Sequence, residues 1–137
     1  MKKIFIDTNI LLDVALARSS FVQPAAHVWA DCESGRVTGF ISAISLNNMH
    51  FIMSKMVGKD AALESVRLVL GLFKIVPLDE KILRLAAELP HKDFEDAIQL
   101  FSAVQSKADC IVTRDIGHFS KDYLPVVSPT EYLGMQN

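Results

Sequence analysis

The chain has 137 residues, a length that is typical of one domain with a substantial hydrophobic core. Hydrophobic residues make up 50% of the sequence and charged residues 22%, which excludes an intrinsically disordered chain. The formal net charge of −2 provides no overall attraction to nucleic acid, so binding of RNA or DNA would require a local basic patch or a metal ion. We expect a single domain over residues 1–137.

The sequence predicts a cytoplasmic protein without a membrane partner. Met-Lys-Lys leads directly into a predicted strand, without the apolar region of a signal peptide, and no apolar run is long enough to span a bilayer. Cys32 and Cys110 show neither a disulfide framework nor a metal-binding spacing, which favours a reducing compartment.

Strands and helices alternate along the chain. Strands are predicted at residues 3–6, 38–42, 74–78, 110–112 and 124–127, with helices between them. The third helix is predicted over residues 45–57, and Asp60 is expected to cap the fourth. Pro77, near the end of the third strand, indicates an edge position. This alternation predicts a three-layer α/β/α fold in which a parallel sheet lies between helices.

The segment 92–115 is expected to form a helix, a turn and a buried strand, with acidic residues at both ends. One helical face is predicted to be apolar from the spacing of Ala97, Leu100, Phe101 and Val104. Extended back by one turn, this face reaches Asp93 and Asp96. The opposite, solvated face is predicted to carry Glu95, Gln99, Ser102 and Ser106. Because a carboxylate at the rim of a core is costly, Asp93 and Asp96 must find partners or a cation.

Polar residues also follow the carboxyl ends of the predicted strands. These residues are Asp7, Ser42, Thr113 and Asp115. In a parallel sheet they emerge along one edge, where open α/β sheets hold their ligands. Carboxylates gathered there repel one another unless a divalent cation neutralises them, and hard oxygen ligands favour Mg²⁺ or Mn²⁺.

Several polar residues also have a purely structural interpretation. Asp7 could serve only as the cap of the helix that follows it. Asn48 lies on a predicted inward helix face, where it is either a buried amide satisfied by the backbone or a functional residue. Arg114 is either a solvated surface charge or a contact to a nucleic-acid backbone. Asp13, one turn into the first helix, is expected to hydrogen-bond locally.

Four segments of the chain resemble the PIN domain, especially the VapC-type toxins of bacterial toxin–antitoxin pairs. The segments are FIDTNILLD, SAISLNN, DFEDAIQ and IVTRD with a following Phe119, and they span the whole length in matching order. The resemblance implies a Mg²⁺- or Mn²⁺-dependent ribonuclease with a five-stranded parallel sheet. It places the acidic positions of the family on Asp7, Asp96 and Asp115, with Asp93 as a fourth.

Two positions depart from the family pattern. The helix after the second strand usually brings a Glu where this chain has Asn48, and an acid often precedes the last Phe where this chain has His118. An amide supplies neither charge nor basicity. We therefore expect the site to bind metal less tightly, or to hold fewer ions, than a full set of carboxylates would.

The leading hypothesis is a metal-dependent endoribonuclease. The resemblance implies that Asp7, Asp96 and Asp115 hold the cation, that Asn48 belongs to the catalytic site, that Asn9 and Thr113 position ligands or water, and that Arg114 contacts the RNA backbone. The alternative is a catalytically weakened PIN domain that binds RNA or a protein. A phosphohydrolase with Asp7 as nucleophile is disfavoured, since that chemistry needs a second Asp where Asn9 stands.

The sequence also predicts a homodimer. Two helices carry more apolar side chains than one core of this size readily absorbs: Phe21, Val22, Val28 and Trp29 near the second helix, and Met49, Phe51, Met53 and Met56 on the third. Since PIN toxins commonly form symmetric dimers, we expect two acidic clefts that lie near each other. A partner peptide from an antitoxin could reach the metal site along the same surface.

Overall fold

The computed structural model describes residues 2–90 and 93–136. Met1, His91, Lys92 and Asn137 lie outside the described residues. The structure therefore does not describe the first residue of the predicted segment 92–115 or the two end residues of the predicted domain.

The described residues form one sheet of five strands, all of which pair in parallel. The strands are β1 (Lys3–Ile6), β2 (Thr38–Ser42), β3 (Lys74–Val76), β4 (Cys110–Val112) and β5 (Val126–Val127). Their spatial order is β3-β2-β1-β4-β5, so β1 is central and β3 lies at an edge. The predicted parallel sheet and the edge position of the third strand are confirmed.

Seven α-helices within the described ranges cover the sheet. They are α1 (Thr8–Ala15), α2 (Val22–Glu33), α3 (Ala43–Val57), α4 (Lys59–Leu72), α5 (Glu80–Glu88), α6 (Phe94–Ser106) and α7 (Pro129–Met135). In the parts of the chain that the structure describes, no helix combines the length and the apolar character needed to cross a membrane.

The side chains of the central strand point alternately into two hydrophobic cores, as the two-residue period of a strand requires. Ile4 and Ile6 of β1 pack into a core shared with α1, α2, α3, α4 and α7. Phe5 packs into a second core with α5 and α6. Both faces of the sheet are therefore covered by helices, which confirms the predicted three-layer α/β/α fold.

Two predicted helix starts are wrong by a few residues. The helix predicted from residue 45 already begins at Ala43, because the Ser42 side chain accepts a hydrogen bond from Ile44 N at 3.2 Å and caps it earlier. Asp60 does not cap α4, which begins at Lys59. Gly58, with φ of +94°, makes the turn between α3 and α4 instead, a conformation that favours glycine.

The apolar residues behind the dimer prediction divide into two groups. Val28, Trp29, Met49 and Met53 are buried in the core of this chain. Phe21, Phe51 and Met56 remain 40%, 59% and 63% exposed. Of the residues behind the prediction, only the second group and the half-buried Val22 can contribute to a surface that binds a partner.

Candidate active site

The pairing of β1 with β4 brings the first two site residues side by side. Ile6 pairs with Val112, so Asp7 and Thr113 both follow the carboxyl ends of neighbouring central strands. Thr113 Oγ1 donates a hydrogen bond to Asp7 Oδ2 at 2.8 Å. Both side chains are buried, with exposed fractions of 4% for Asp7 and 0% for Thr113.

The same hydroxyl connects Asp7 with Asp115. The backbone N–H of Asp115 donates to Thr113 Oγ1 at 2.9 Å. Asn9 Nδ2 donates to Asp115 Oδ2, also at 2.9 Å, and thereby ties the loop after β4 to α1. Asn9 and Thr113 thus hold together Asp7 and Asp115, which follow two different strands.

A cleft of about 370 Å³ opens at this edge of the sheet. Its lining combines carboxylates and amides with a few apolar side chains: Asp7, Thr8, Asn9, Leu12, Asn48, Phe51, Ile52, Glu95, Asp96, Gln99 and His118. The structure therefore brings Asp7, Asn48 and Asp96 to one cleft, with Asp115 held beside it by Asn9. Ser42, whose side chain caps α3, is not part of the lining.

The first turn of α6 contributes two acids to the cleft, one of which the sequence analysis placed wrongly. Asp96 lies in the cleft as expected, but Glu95 faces it too, not solvent. Asp93 is the exposed N-cap of α6 and its Oδ1 accepts from Asp96 N at 3.1 Å. Asp93 is not a lining residue of the cleft, although its charge acts on both acids.

Gln99 is the site residue that the sequence analysis missed most clearly. It is 1% exposed, and its Oε1 accepts from Thr8 N at 3.3 Å. A hydrogen bond from Gln99 also opposes the rise in the pKa of Asp7. The i, i+4 relation between Glu95 and Gln99 was visible in the sequence, but both residues had been placed on the solvated side.

Crowding and burial make the ionised forms of the cleft acids unfavourable. Burial raises the pKa of Asp7, and the charge of Asp115 adds to this, while hydrogen bonds from Thr113 and Gln99 oppose it. Burial, followed by the charge of Asp93, raises the pKa of Asp96 to about 6. The pKa of Glu95 is raised for the same two reasons. A bound cation would relieve this repulsion.

The donor chemistry of the cleft fits a hard divalent cation. Among the described residues, no three His, Cys, Asp or Glu side chains are arranged so that they could hold a metal ion together. Mg²⁺ does not require such a cage, because it retains several waters and binds through one or two carboxylates together with substrate phosphates. The cleft supplies carboxylate and amide oxygens, and the pKa values of two of its acids, Asp7 and Asp96, are raised. Both features match that mode of binding.

Asn48 stands in the cleft with an unused donor. Its Nδ2 is buried and has no hydrogen-bond partner among the described residues. Hydrogen bonding from the Asn48 side chain opposes the rise in the pKa of Glu95, so that carboxylate is an acceptor within reach of the amide. A buried donor without a partner is costly, so this amide would gain from an acceptor that enters the cleft.

Arg114 does not line the cleft. Its Nε donates to Asp13 Oδ2 at 2.9 Å and its Nη2 to Asp13 Oδ1 at 3.4 Å. The guanidinium also lies 4.1 Å from the ring centroid of Phe21. Arg18 donates to the same Asp13 carboxylate at 3.2 Å, so the prediction that Asp13 hydrogen-bonds locally is correct for Arg18 but omits its more distant partner.

Several solved structures share this fold. VapBC2 from Rickettsia felis, bound to a promoter DNA fragment, is 17% identical with a TM-score of 0.70, over 92% of this chain and 98% of that chain. A toxin–antitoxin complex from Klebsiella pneumoniae is 23% identical with a TM-score of 0.69, over 92% and 97%. VapC20 from Mycobacterium tuberculosis, a Sarcin-Ricin loop cleaving toxin, is 19% identical with a TM-score of 0.65, over 88% and 92%.

At these identities the similarity shows a common fold. No curated protein matches the sequence. The family model of the PIN domain matches residues 3–117, which include β1, β4 and all the cleft residues described above except His118. The resemblance found in the sequence is thereby confirmed, and the chain belongs to the PIN domain family.

Proposed function

We propose that this PIN domain is an endoribonuclease that hydrolyses RNA phosphodiester bonds with Mg²⁺ or Mn²⁺. The observation that carries the proposal is the crowding of carboxyl groups at one cleft. Asp7, Glu95 and Asp96 line it, and their pKa values are all raised. Such acids need a cation in order to ionise together, and a cation held there would attract a phosphodiester despite the net charge of −2.

In this proposal Asp7, Asp96 and Asp115 hold the cation, directly or through its waters. The bound cation would neutralise charge on the phosphate and activate a water molecule for attack at phosphorus. Asp93, first expected as a fourth ligand, would act by fixing the N-terminal turn of α6, through its hydrogen bond to Asp96 N. Glu95 becomes a further candidate ligand, since it faces the cleft.

The remaining residues position these groups and the substrate. Thr113 orients the Asp7 carboxylate and Asn9 that of Asp115. The Nδ2 of Asn48, which has no close partner among the described residues, would donate to a phosphate oxygen. Arg114 would contact the RNA backbone through the donors that Asp13 leaves unused, since a guanidinium has five N–H groups.

An RNA cleavage assay with added Mg²⁺ or Mn²⁺ tests this proposal. Asp7→Asn and Asp96→Asn should each abolish metal-stimulated cleavage. Asp60→Asn is the matched control for Asp96, because Asp60 also lies in the first turn of a helix but is exposed, and it should retain activity. Full activity in both Asp7→Asn and Asp96→Asn would refute the proposal.

A second candidate function is a catalytically weakened PIN domain that binds RNA or a protein. The observation that favours it is Asn48 in the cleft in place of an acid. Asn48→Glu distinguishes the two functions. A large gain in cleavage over several RNAs supports the weakened domain, whereas no gain in an active wild-type protein excludes it.

We further propose that the protein is the toxin of a toxin–antitoxin pair and forms a homodimer. The support is the fold shared with toxin–antitoxin complexes and the exposed apolar residues Met56, Val57 and Leu63 in the α3–α4 hairpin. Light scattering at micromolar concentration should give the mass of a dimer. A monomeric mass would refute the dimer proposal but not the toxin proposal. The toxin proposal is tested by looking for an antitoxin in the neighbouring reading frame.

A further inference from the structure

One stripe of α3 runs outward from the cleft. Asn48, Phe51 and Lys55 occupy positions i, i+3 and i+7 and therefore share one side of the helix. Asn48 and Phe51 line the cleft, and Lys55 Nζ lies 4.2 Å from the centroid of the Phe51 ring. The stripe thus carries, in order, an amide, an aromatic ring and an ammonium group.

Packing within the chain does not explain Phe51. The side of α3 that faces the core carries Ser45, Met49 and Met53, which are buried. The ring of Phe51 stays 59% exposed, although Lys55 lies over it. An aromatic side chain left in water at the mouth of a polar cleft is available for a ligand.

We infer that Phe51 is a stacking platform for an unpaired base of single-stranded RNA, next to the phosphate held in the cleft. This inference rests on the proposed ribonuclease function and specifies the substrate of that site. A base in a duplex is already stacked on both faces, so the ring can only receive a base that is unpaired or splayed out. Lys55 would then contact a backbone phosphate beside the stacked base.

The polar neighbours of the ring favour a nucleic acid over a protein on this stripe. One turn before Phe51 is the amide group of Asn48, and one turn after it is the ammonium group of Lys55. The centre of a protein interface is depleted of charged residues and Lys is disfavoured there, whereas RNA presents bases and phosphates in alternation. The amide, ring and ammonium match that alternation.

Binding of a short, mixed-sequence single-stranded RNA to the full chain tests the inference separately from cleavage. All variants carry Asp96→Asn, so that the RNA stays intact. Phe51→Leu should weaken binding about tenfold, because base stacking on an aromatic ring is lost. Phe51→Trp should keep the affinity. Tyr123→Leu is the matched control, since Tyr123 is 49% exposed but does not line the cleft.

A series of RNAs with one abasic residue at each position in turn identifies the stacked base. At one RNA position, the loss of affinity caused by the missing base and the loss of affinity caused by Phe51→Leu should not add, because both changes remove the same contact. In the Phe51→Trp variant this RNA should quench the fluorescence of the new tryptophan. Trp29 supplies an internal reference, because it is 8% exposed and packs against Phe73.

The outcomes separate this inference from the proposed function. The stacking platform would be overturned if RNA bound Phe51→Leu as tightly as the parent protein. It would also be overturned if, at every RNA position, the loss of affinity from the missing base added to the loss from Phe51→Leu. Neither result would contradict the ribonuclease proposal. A dimer mass that falls in Phe51→Leu with unchanged RNA binding would assign the ring to a protein surface instead. A protein that neither binds nor cleaves RNA would overturn both.

Discussion

Arg114 Nε donates to Asp13 Oδ2 at 2.9 Å, and this contact joins the loop after β4 to the middle of α1. The two residues are 101 positions apart in the sequence. The Asp13 side chain is 1% exposed and is also paired with Arg18. The loop that carries Asp115 is therefore fixed by Asn9 on one side and by this ion pair on the other.

Asp13→Ala should destabilise the protein by about 2–4 kcal/mol, because it leaves two arginines without their buried partner. Urea unfolding followed by circular dichroism measures this loss. Glu80→Ala is the matched control: it breaks the Arg84–Glu80 pair, whose side chains are both 77% exposed. That change should cost less than about 1 kcal/mol. Equal costs in the two variants would contradict the role assigned to Asp13.

Thr113→Val should impair the site while preserving the shape of the side chain. The substitution removes the donor to Asp7 Oδ2 and the acceptor of Asp115 N, both buried or half-buried. We expect RNA cleavage to fall by about 10- to 100-fold and stability to fall by about 1–3 kcal/mol. Thr113→Ser retains the hydroxyl and should keep most of the cleavage activity and most of the stability. Cleavage rates and urea midpoints provide the two measurements.

The stability of the metal-free protein should fall as the pH rises from about 4 to 7. The pKa of Asp96 is about 6 in the folded protein against an ordinary value of 3.8, so between these values the folded state holds a proton that the unfolded state has lost. The raised pKa values of Asp7 and Glu95 act in the same direction. Asp96→Asn should flatten this part of the profile.

Added Mg²⁺ should reverse that loss near neutral pH, since it binds the folded state only. Thermal unfolding measured across this pH range, with and without Mg²⁺, checks both statements. A wild-type profile with the same slope as that of Asp96→Asn would show that Asp96 has an ordinary pKa.

Two glycine substitutions should change stability in opposite directions. A Cβ at Gly39 would lie 2.6 Å from Cys32 Sγ and 2.8 Å from Phe73 Cδ1, both in buried side chains. Gly39→Ala should therefore cost about 1–3 kcal/mol through overpacking. A Cβ at Gly71 in α4 meets nothing within 4 Å, so Gly71→Ala should add about 0.5–1 kcal/mol through helix propensity. Thermal unfolding of the two variants compares them directly.

Much of the fold could be predicted because its strands are short, continuous apolar runs. β1, β2 and β4 lie where the sequence placed them, and a parallel sheet then brings the residues after β1 and β4 together. The positions of Asp7 and Asp115 follow from this rule alone. No information about side-chain partners was needed for either residue.

The facing of α6 could be predicted only in part: Ala97, Leu100 and Phe101 are buried as expected, but polar residues of the opposite face are buried too. Gln99 is buried because Thr8 of α1 donates a hydrogen bond to it. Ser102 is also buried, and its hydroxyl is satisfied within α6 by donating to Ile98 O at 2.7 Å. Val104, expected in the core, is 42% exposed. A polar residue with a partner in another element can be buried, and Glu95, one turn before Gln99, faces the cleft together with it.

The backbone N–H of Asp7 donates to Val112 O at 3.1 Å, so the acid at the centre of the cleft is part of the hydrogen-bond ladder between the two central strands. Asp7 cannot leave its position unless β1 separates from β4, which amounts to unfolding the whole sheet. Its amide should thus be among the slowest to exchange with deuterium. The backbone of Asp7 and the sheet then share one free energy of opening, so local breathing cannot displace this acid.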